Sequence, residues 1–459
     1  MQHSARQSVL FPDLLAKPLT ATFDEPATTS DGGAVLLRAL DKGLSLTRRL
    51  AAKIFEDRQP GKIVHGLLDL FRQRVYGIAC GYADCNDAAR VGHDPMQKAL
   101  LGRDPLGEAG LASQSTLSRF ENRVRLVDLY RMGVELMELV IERHRKRLGR
   151  RKVKLITIDM DPTEDKTHGA QQLSLFNGHY DSWCYLPMLG FVTFNDEPEQ
   201  YLFAAVLRPG LASAHQGAVG ILRRVLPRLR ASFPKARIRV RLDGGFANPK
   251  LFSFLEQEER VQYLVGIGRN SVLKKRIEPL MKRVRRASKK SGETETEFGE
   301  TMYAAGTWKK KERRVIMKAE VVRLAGREPK DNARFVVTNL RHKPVNVYQI
   351  YRNRGDSENR IEELKNDLEM DRTSCESFWA NQLRVLLTAT AYVLFQELRW
   401  RTARHSGQRL SVGTLRLRLI KIGARIECSV RRIVVHLADS HPWRSDWCQL
   451  AAACGASPG

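Results

Sequence analysis

The sequence predicts an α/β protein: a mixed-sheet core, preceded by an all-helical N-terminal domain and followed by a helical and β-hairpin C-terminal region. Three observations predict it. Residues 30–150 carry apolar side chains at helical spacing. Residues 153–267 read first as successive strands and then as strands alternating with helices. Apolar and basic residues alternate again near the C-terminus.

In the N-terminal part, Ser30-Asp31 is placed to cap a helix through Ala34, Leu36, Leu37, Ala39 and Leu40. A second helix begins near Lys62, with Ile63, Leu67, Leu70 and Phe71 on one face. Ser113-Gln114-Ser115-Thr116 precedes Leu117, Phe120 and Val124 at helical spacing, with Arg119, Arg123 and Arg125 beside them. That is the pattern of the second helix of a helix-turn-helix, which would make Arg119 and Arg123 DNA contacts. An ordinary capped helix has the same pattern.

The periodicity then changes. Val153–Asp161 is a β-rich stretch ending in acids, and Trp183–Phe194 and Gln200–Leu207 supply two or three more strands. An amphipathic helix at Ile221–Leu229, a strand at Ile238–Asp243, a helix at Pro249–Gln257 and a strand at Val261–Ile267 follow. A meander followed by alternation is the order of a ribonuclease-H-like mixed sheet. A β-rich insertion is expected next, with a charged stretch at Ala287–Glu300 and strands at Met302–Trp308, Arg314–Leu324 and Arg334–Leu340. A long helix over about Val345–Leu368 and a buried one over Phe378–Trp400 return to the core, and a hairpin with a cationic outer face starts at Leu415. The expected divisions are 1–150 (helical, DNA-binding), 151–269 (first part of the core), 270–340 (insertion), 341–400 (remainder of the core) and 401–459 (basic C-terminal region).

Composition limits the function. Among 459 residues, 77 Lys+Arg against 51 Asp+Glu leave a net charge of +26, and 42% hydrophobic residues are enough for a folded core. Arg143–Lys154 holds eight Lys/Arg and no acid, while Arg269–Lys290 and Arg399–Arg432 each hold ten against one. Three such patches fit an extended polyanion, DNA or RNA, better than a small acidic substrate; solubilising surfaces intersperse both signs. No apolar run approaches the ~18 residues of a membrane span. The first twenty residues lack the order of a signal peptide, and the seven cysteines have no C-x-x-C spacing. A soluble, cytoplasmic protein with reduced thiols and no membrane partner is expected.

In so basic a chain, acids at the ends of buried strands need a reason, and a divalent metal is the usual one. Asp159 and Asp161 alternate onto one face of a strand, and Asp243 closes another before Gly244-Gly245. Each has an ordinary reading as a cap or turn residue, and D-x-D also occurs in glycosyl-transfer enzymes. The third element is a helix face. Tyr351, Arg354, Glu358 and Lys365 stand at offsets 0, 3, 7 and 14. On one regular helix those offsets lie within about 60° of arc. A simple i,i+4 ion pair of Arg354 with Glu358 is the alternative.

The spacing Tyr351-x2-Arg354-x3-Glu358-x6-Lys365 resembles the Y-R-E-K signature of bacterial insertion-sequence transposases of the DDE type. The strand acids Asp161-Pro162-Thr163 and Asp243 lie upstream of it, as in that group. The stretches DKTHGAQQLSLFNGHYDSWCYLPML and FWANQLRVLLTATAYVLFQELR are also similar to one subgroup, and the resemblance runs from about residue 20 to 440. It implies a ribonuclease-H-like core with Asp161, Asp243 and Glu358 as catalytic, metal-binding acids and an insertion between the second and third. The first acid is Asp161 or Asp159; the resemblance favours Asp161, which stands two positions before a hydroxyl residue.

The resemblance further implies a cut-and-paste enzyme that binds terminal inverted repeats, hydrolyses their phosphodiesters and joins the 3′-OH ends to target DNA. Two Mg²⁺ ions about 3.5–4 Å apart, with Mn²⁺ as a substitute, would serve the displacement. Tyr351, Arg354 and Lys365 would contact DNA phosphates, and Trp308 in the insertion would stack on an extruded base. The partners expected are double-stranded DNA, as repeats and target, and a second copy in a homodimeric synapse at the bacterial nucleoid. The alternatives are an inactive or domesticated DNA-binding protein and a Mg²⁺ nuclease of the same fold without strand transfer.

Overall fold

The computed structural model describes residues 9–308 and 311–457. Its N-terminal part is helical. The main helices are α1 (Val35–Leu44), α2 (Leu67–Cys80), α3 (Gln114–Arg123) and α4 (Leu126–Leu148). The expected cap of α1 is absent, because Asp31 is wholly buried and accepts hydrogen bonds from Lys421 (2.7 Å) and Gln97 (2.9 Å). Lys421 comes from the far end of the chain, so the two ends meet here. A Cβ on Gly33 would stand 1.9 Å from the Leu419 carbonyl oxygen, so only glycine fits the junction. The strand pair Ala424–Cys428 and Ile433–Leu437 adds Thr28–Thr29 as a third strand.

α4 then crosses to the sheet. Leu129, Met132 and Leu136 pack within the helical body, while Met137, Val140, Ile141 and Leu148 pack on the sheet. The sheet is eight-stranded. Its strands are β1 (Leu155–Pro162), β2 (Met188–Phe194), β3 (Tyr201–Val206), β4 (Arg237–Leu242), β5 (Val261–Ile267), β6 (Glu295–Tyr303), β7 (Arg313–Val322) and β8 (Lys330–Thr338). Their order across the sheet is β6-β7-β8-β5-β4-β1-β2-β3. β1, β2 and β3 form an antiparallel meander, whereas β4 runs parallel to β1 and β5 parallel to β4. α5 (Ala218–Ser232) and α6 (Pro249–Gln257) make the crossovers into β4 and β5, and α7 (Ser271–Ser291) follows β5.

The segment 270–340 differs from expectation in three ways. Its first strand is Glu295–Tyr303 rather than Met302–Trp308, because Gly306–Trp308 forms a 3₁₀ turn. The segment opens with the 21-residue helix α7, whose apolar residues Leu273, Ile277, Leu280, Met281 and Val284 recur at helical spacing beneath a charged surface. Its three strands also extend the core sheet, because β8 pairs antiparallel with β5.

The chain returns as α8 (Pro344–Arg352), a 3₁₀ turn at Asn353–Gly355, α9 (Asp356–Glu362) and a π-helical turn at Glu363–Asp367. The single regular helix expected over Val345–Leu368 is thus broken twice. The 29-residue α10 (Phe378–Ser406) is buried on most sides, and its glutamines finish the sheet. Gln396 accepts from the Leu202 N–H (3.0 Å) and donates to the Gln200 carbonyl; Gln382 serves Leu207 and Ala205 in the same way. The free edge of β3 is thereby satisfied without another strand. After α10 the apolar residues Val412, Leu415, Leu419 and Ile420 impose helical turns, so the hairpin starts at Ala424 rather than Leu415. A final helix, α11 (Arg444–Ala453), seats Leu450 in the helical core. No described helix is long and apolar enough to cross a membrane.

Between β1 and β4 lies a buried ion pair. Asp159 is fully buried and accepts two bonds from Arg241 (2.8 and 2.7 Å) and one from Gln200 (2.9 Å), and Arg241 also donates to the Ile350 carbonyl at 3.0 Å. Arg241→Met strands a buried carboxylate and should cost about 3–5 kcal/mol in urea unfolding. Adding Asp159→Leu should recover most of that loss; a single variant as stable as the parent would contradict the role given to the pair.

Candidate active site

Three chain segments converge at the C-terminal ends of β1 and β4. Alternation along β1 turns Ile156, Ile158 and Met160 into the core under α4 and α5. Asp159 and Asp161 therefore face the other side of the sheet, which the α8–α9 run covers. On β5 and β7 the same side presents Leu264 and Ile316, packed with Val347, Tyr348, Ile350 and Tyr351. Strand alternation and the seating of α8 thus decide together which acids meet the helix.

Arg354, in the 3₁₀ turn, reaches across to the Asp161 carboxylate with one guanidinium nitrogen and to Glu358 with another (3.3 Å). The Asp161 side chain is 11% exposed and that of Glu358 66%. Burial pushes the Asp161 carboxyl up to about 6; Arg354 opposes the shift, while the nearby Asp243 and Glu358 charges add to it. Asp243 follows β4 directly and accepts from the Gly245 N–H (2.9 Å), which holds its carboxylate at the turn. Tyr351 packs onto β5 at Gly266, where a Cβ would come within 2.6 Å of the phenol oxygen. Lys365, in the π turn, donates to the Glu164 carbonyl (2.9 Å), just beyond β1. Arg354, Glu358 and Lys365 therefore gather over the end of β1, and Tyr351 stands beside them over β5. The 3₁₀ and π turns, rather than one uniform helix face, bring them there.

The donor chemistry of Asp161, Asp243 and Glu358 fits a hard dication: oxygen ligands, one of them ionised at a cost beside two like charges. As they stand, no three His, Cys, Asp or Glu among the described residues are close enough to hold a metal. The Arg354 guanidinium sits between Asp161 and Glu358 instead.

The pattern described as "Transposase DDE domain group 1" matches residues 11–455. The chain belongs to this transposase family. A search of curated proteins finds no match. Membership implies nuclease and transposition chemistry on DNA, and such transposases generally use divalent metals.

Two of the expected site residues of this transposase have other roles. Asp159 is not open to a metal, because Arg241 and Gln200 engage its carboxylate oxygens. Trp308 is not open to a base: it is 6% exposed and packs edge-on to Phe252 (5.3 Å) and Tyr303 (5.4 Å), with the Arg313 guanidinium 5.0 Å from its ring. Arg119 and Arg123 lie on the exposed side of α3, where they line a cleft with Arg58, Lys62 and His65, and Arg123 pairs with Asp57 at 3.0 Å. α3 itself is pinned by the buried pair of Glu121 with Arg74 (2.7 Å).

Sequence reasoning passed over Tyr180 and Arg208. Tyr180 lies near enough to Asp161 and Asp243 for their charges to add to burial in raising its phenol. Arg208 is buried with no acid paired to it among the described residues; burial lowers it to about 10, and it donates to the carbonyls of Leu186, Ser213, Ala214 and Gln216. That holds the Ser213–Gln216 loop, whose Ala214 abuts Gly245 beside Asp243. An arginine following the apolar stretch Tyr201–Leu207 was the available signal.

The raised Asp161 value has a stability consequence. The unfolded value is about 3.9. The carboxylate therefore costs the folded state stability above about pH 6, and that cost disappears as pH falls toward 4. In chelator, Asp161→Asn should raise Tm at pH 8 by about 2 °C or more. The difference should vanish near pH 4; an equal or lower Tm at pH 8 would contradict it.

Proposed function

We propose that the protein is a cut-and-paste DNA transposase with a ribonuclease-H-like core, whose acids Asp161, Asp243 and Glu358 serve phosphodiester cleavage and strand transfer at the ends of an insertion sequence. The convergence of Asp161, Asp243 and the Arg354–Glu358 turn over two adjacent strand ends carries this reading. The antiparallel meander followed by two parallel strands supports the core assignment, and no protein nucleophile is needed.

Asp161, Asp243 and Glu358 would hold the divalent metal, Mg²⁺ or Mn²⁺, which when bound supplies charge neutralisation for an in-line displacement at phosphorus. In the first step a water oxygen bonds to phosphorus and the transposon 3′-oxygen leaves. In the second step that 3′-OH bonds to a target phosphorus, displacing a target 3′-oxygen, so one phosphodiester forms for each one broken. Arg354 has a planar fork suited to phosphate oxygens and lies beside the acids that would bind there. Tyr351, seated on Gly266, presents its hydroxyl to the same place. Lys365 braces the turn after β1 and lends it positive charge. Recognition of the inverted repeats is assigned to Arg119 and Arg123 with the helical body, and the synapse to a homodimer.

Glu358→Gln and Asp243→Asn should each abolish cleavage of a duplex made from the DNA flanking the reading frame, while binding of that duplex in Ca²⁺ persists. Joining of a pre-cut 3′-OH end by the parent protein separates a transposase from a nuclease. Full cleavage by either variant removes that acid from the mechanism.

A further inference from the structure

Two exposed arginines of α7 are matched by acids. Arg283 pairs with Glu297 at 2.6 Å, and Arg285 pairs with Glu278 and Asp331, each at 2.6 Å. Seven other exposed cations of α7 have no such partner among the described residues, and four of them form a line. Lys275, Lys282, Arg286 and Lys289 are all exposed, and no acid lies within ion-pairing distance of them among the described residues. Their offsets of 0, 7, 11 and 14 place them within about 60° of arc, along about 21 Å of helix. Glu278, which stands between Lys275 and Lys282 on this side of the helix, is engaged by Arg285, and Glu297 and Asp331 are engaged by Arg283 and Arg285, so the four cations form a ridge that keeps its charge free.

The position of the ridge separates it from the carboxylates. α7 packs on Val315, Met317, Ala319 and Val321 of β7, whereas α8 packs on Ile316 from the other side. The acids Asp159 and Asp161 face the α8 side, so the ridge points outward from the opposite face of the sheet. A straight duplex lying against Asp161 and Asp243 cannot also lie along it.

We propose that the α7 ridge is a second DNA site, which grips the phosphodiester backbone of a duplex without reading sequence and is separate from the catalytic carboxylates. The inference rests on the transposase reading for its choice of DNA. A row of cations spaced one to two helical turns apart fits the evenly charged edge of a duplex. The helix has no aromatic residue on which an unpaired base could stack, which disfavours a single strand. The site would hold target DNA or a distal part of the transposon while an end occupies the carboxylates.

The test replaces all four cations with glutamine (Lys275→Gln, Lys282→Gln, Arg286→Gln, Lys289→Gln), with circular dichroism melting to show that the full chain still folds. Binding of a long duplex of unrelated sequence is measured between about 50 and 200 mM salt, where each lost phosphate contact removes about 0.9 from the slope of log K against log salt. A slope shallower by about 2–4 is expected. Metal-dependent cleavage of a short duplex of the flanking DNA should stay at the parental rate. An unchanged slope overturns the proposal, and a slope reduced for a structured RNA but not for duplex DNA reassigns the ridge to RNA and overturns it as well. If the parent protein cuts no flanking duplex, the transposase reading fails, and the salt slope still judges the ridge.

Discussion

The Asp159–Arg241 pair is the constraint on which the site depends. It lies one alternation below Asp161, joins the two strands that end in Asp161 and Asp243, and through the Ile350 carbonyl holds the end of α8 above them. Removing one partner would leave a charge with no access to water, so strand register and helix position are locked together. The 3₁₀ turn that follows can then deliver Arg354 to Asp161. A carboxylate that looks like a metal ligand in the sequence is therefore a fixture beneath the acids that do meet Arg354.

The basic excess divides in a related way. Part of it is internal: Arg399 is buried between Glu199 (3.1 Å) and Glu363, Arg416 donates to backbone carbonyls, and Arg143 is paired with Glu397 (2.7 Å). These pairs tie α10 and the C-terminal segment to the rest of the chain, so a cation in a basic run need not be a surface cation. What remains unpaired, such as the row on α7, is the part free to meet a polyanion. Arg354 stands between these two classes, bound to carboxylates yet beside a surface where phosphate would lie.

Much of the architecture was legible in the sequence. The strand at Val261–Ile267 and the helix at Pro249–Gln257 match to the residue, because a short β-branched run and a Pro-led apolar face leave little choice. α7 was missed because its charged surface outweighed the i,i+3 and i,i+4 apolar residues beneath it. The C-terminal hairpin was started too early because Leu415–Ile420 satisfies strand alternation and helical spacing alike, and packing against Gly33 favoured the helix. The Tyr351–Lys365 motif was legible as a set of spacings, although its geometry was not, since no sequence pattern places a 3₁₀ turn and a π turn within one helical run.

By itself the sequence determined which residues could carry chemistry: acids at strand ends, a Tyr-Arg-Glu-Lys series, three basic runs and the family to which they belong. Only the tertiary structure decided which of them act together. Asp159 and Asp161 share a strand face, yet one meets Arg241 on the neighbouring strand and the other meets Arg354 on the covering helix. Trp308 follows the same rule, as an aromatic at the end of an expected strand that Phe252, Tyr303 and Arg313 enclose. The physical reason is that burial and ion pairing are settled by neighbours distant in sequence, and local pattern does not encode them.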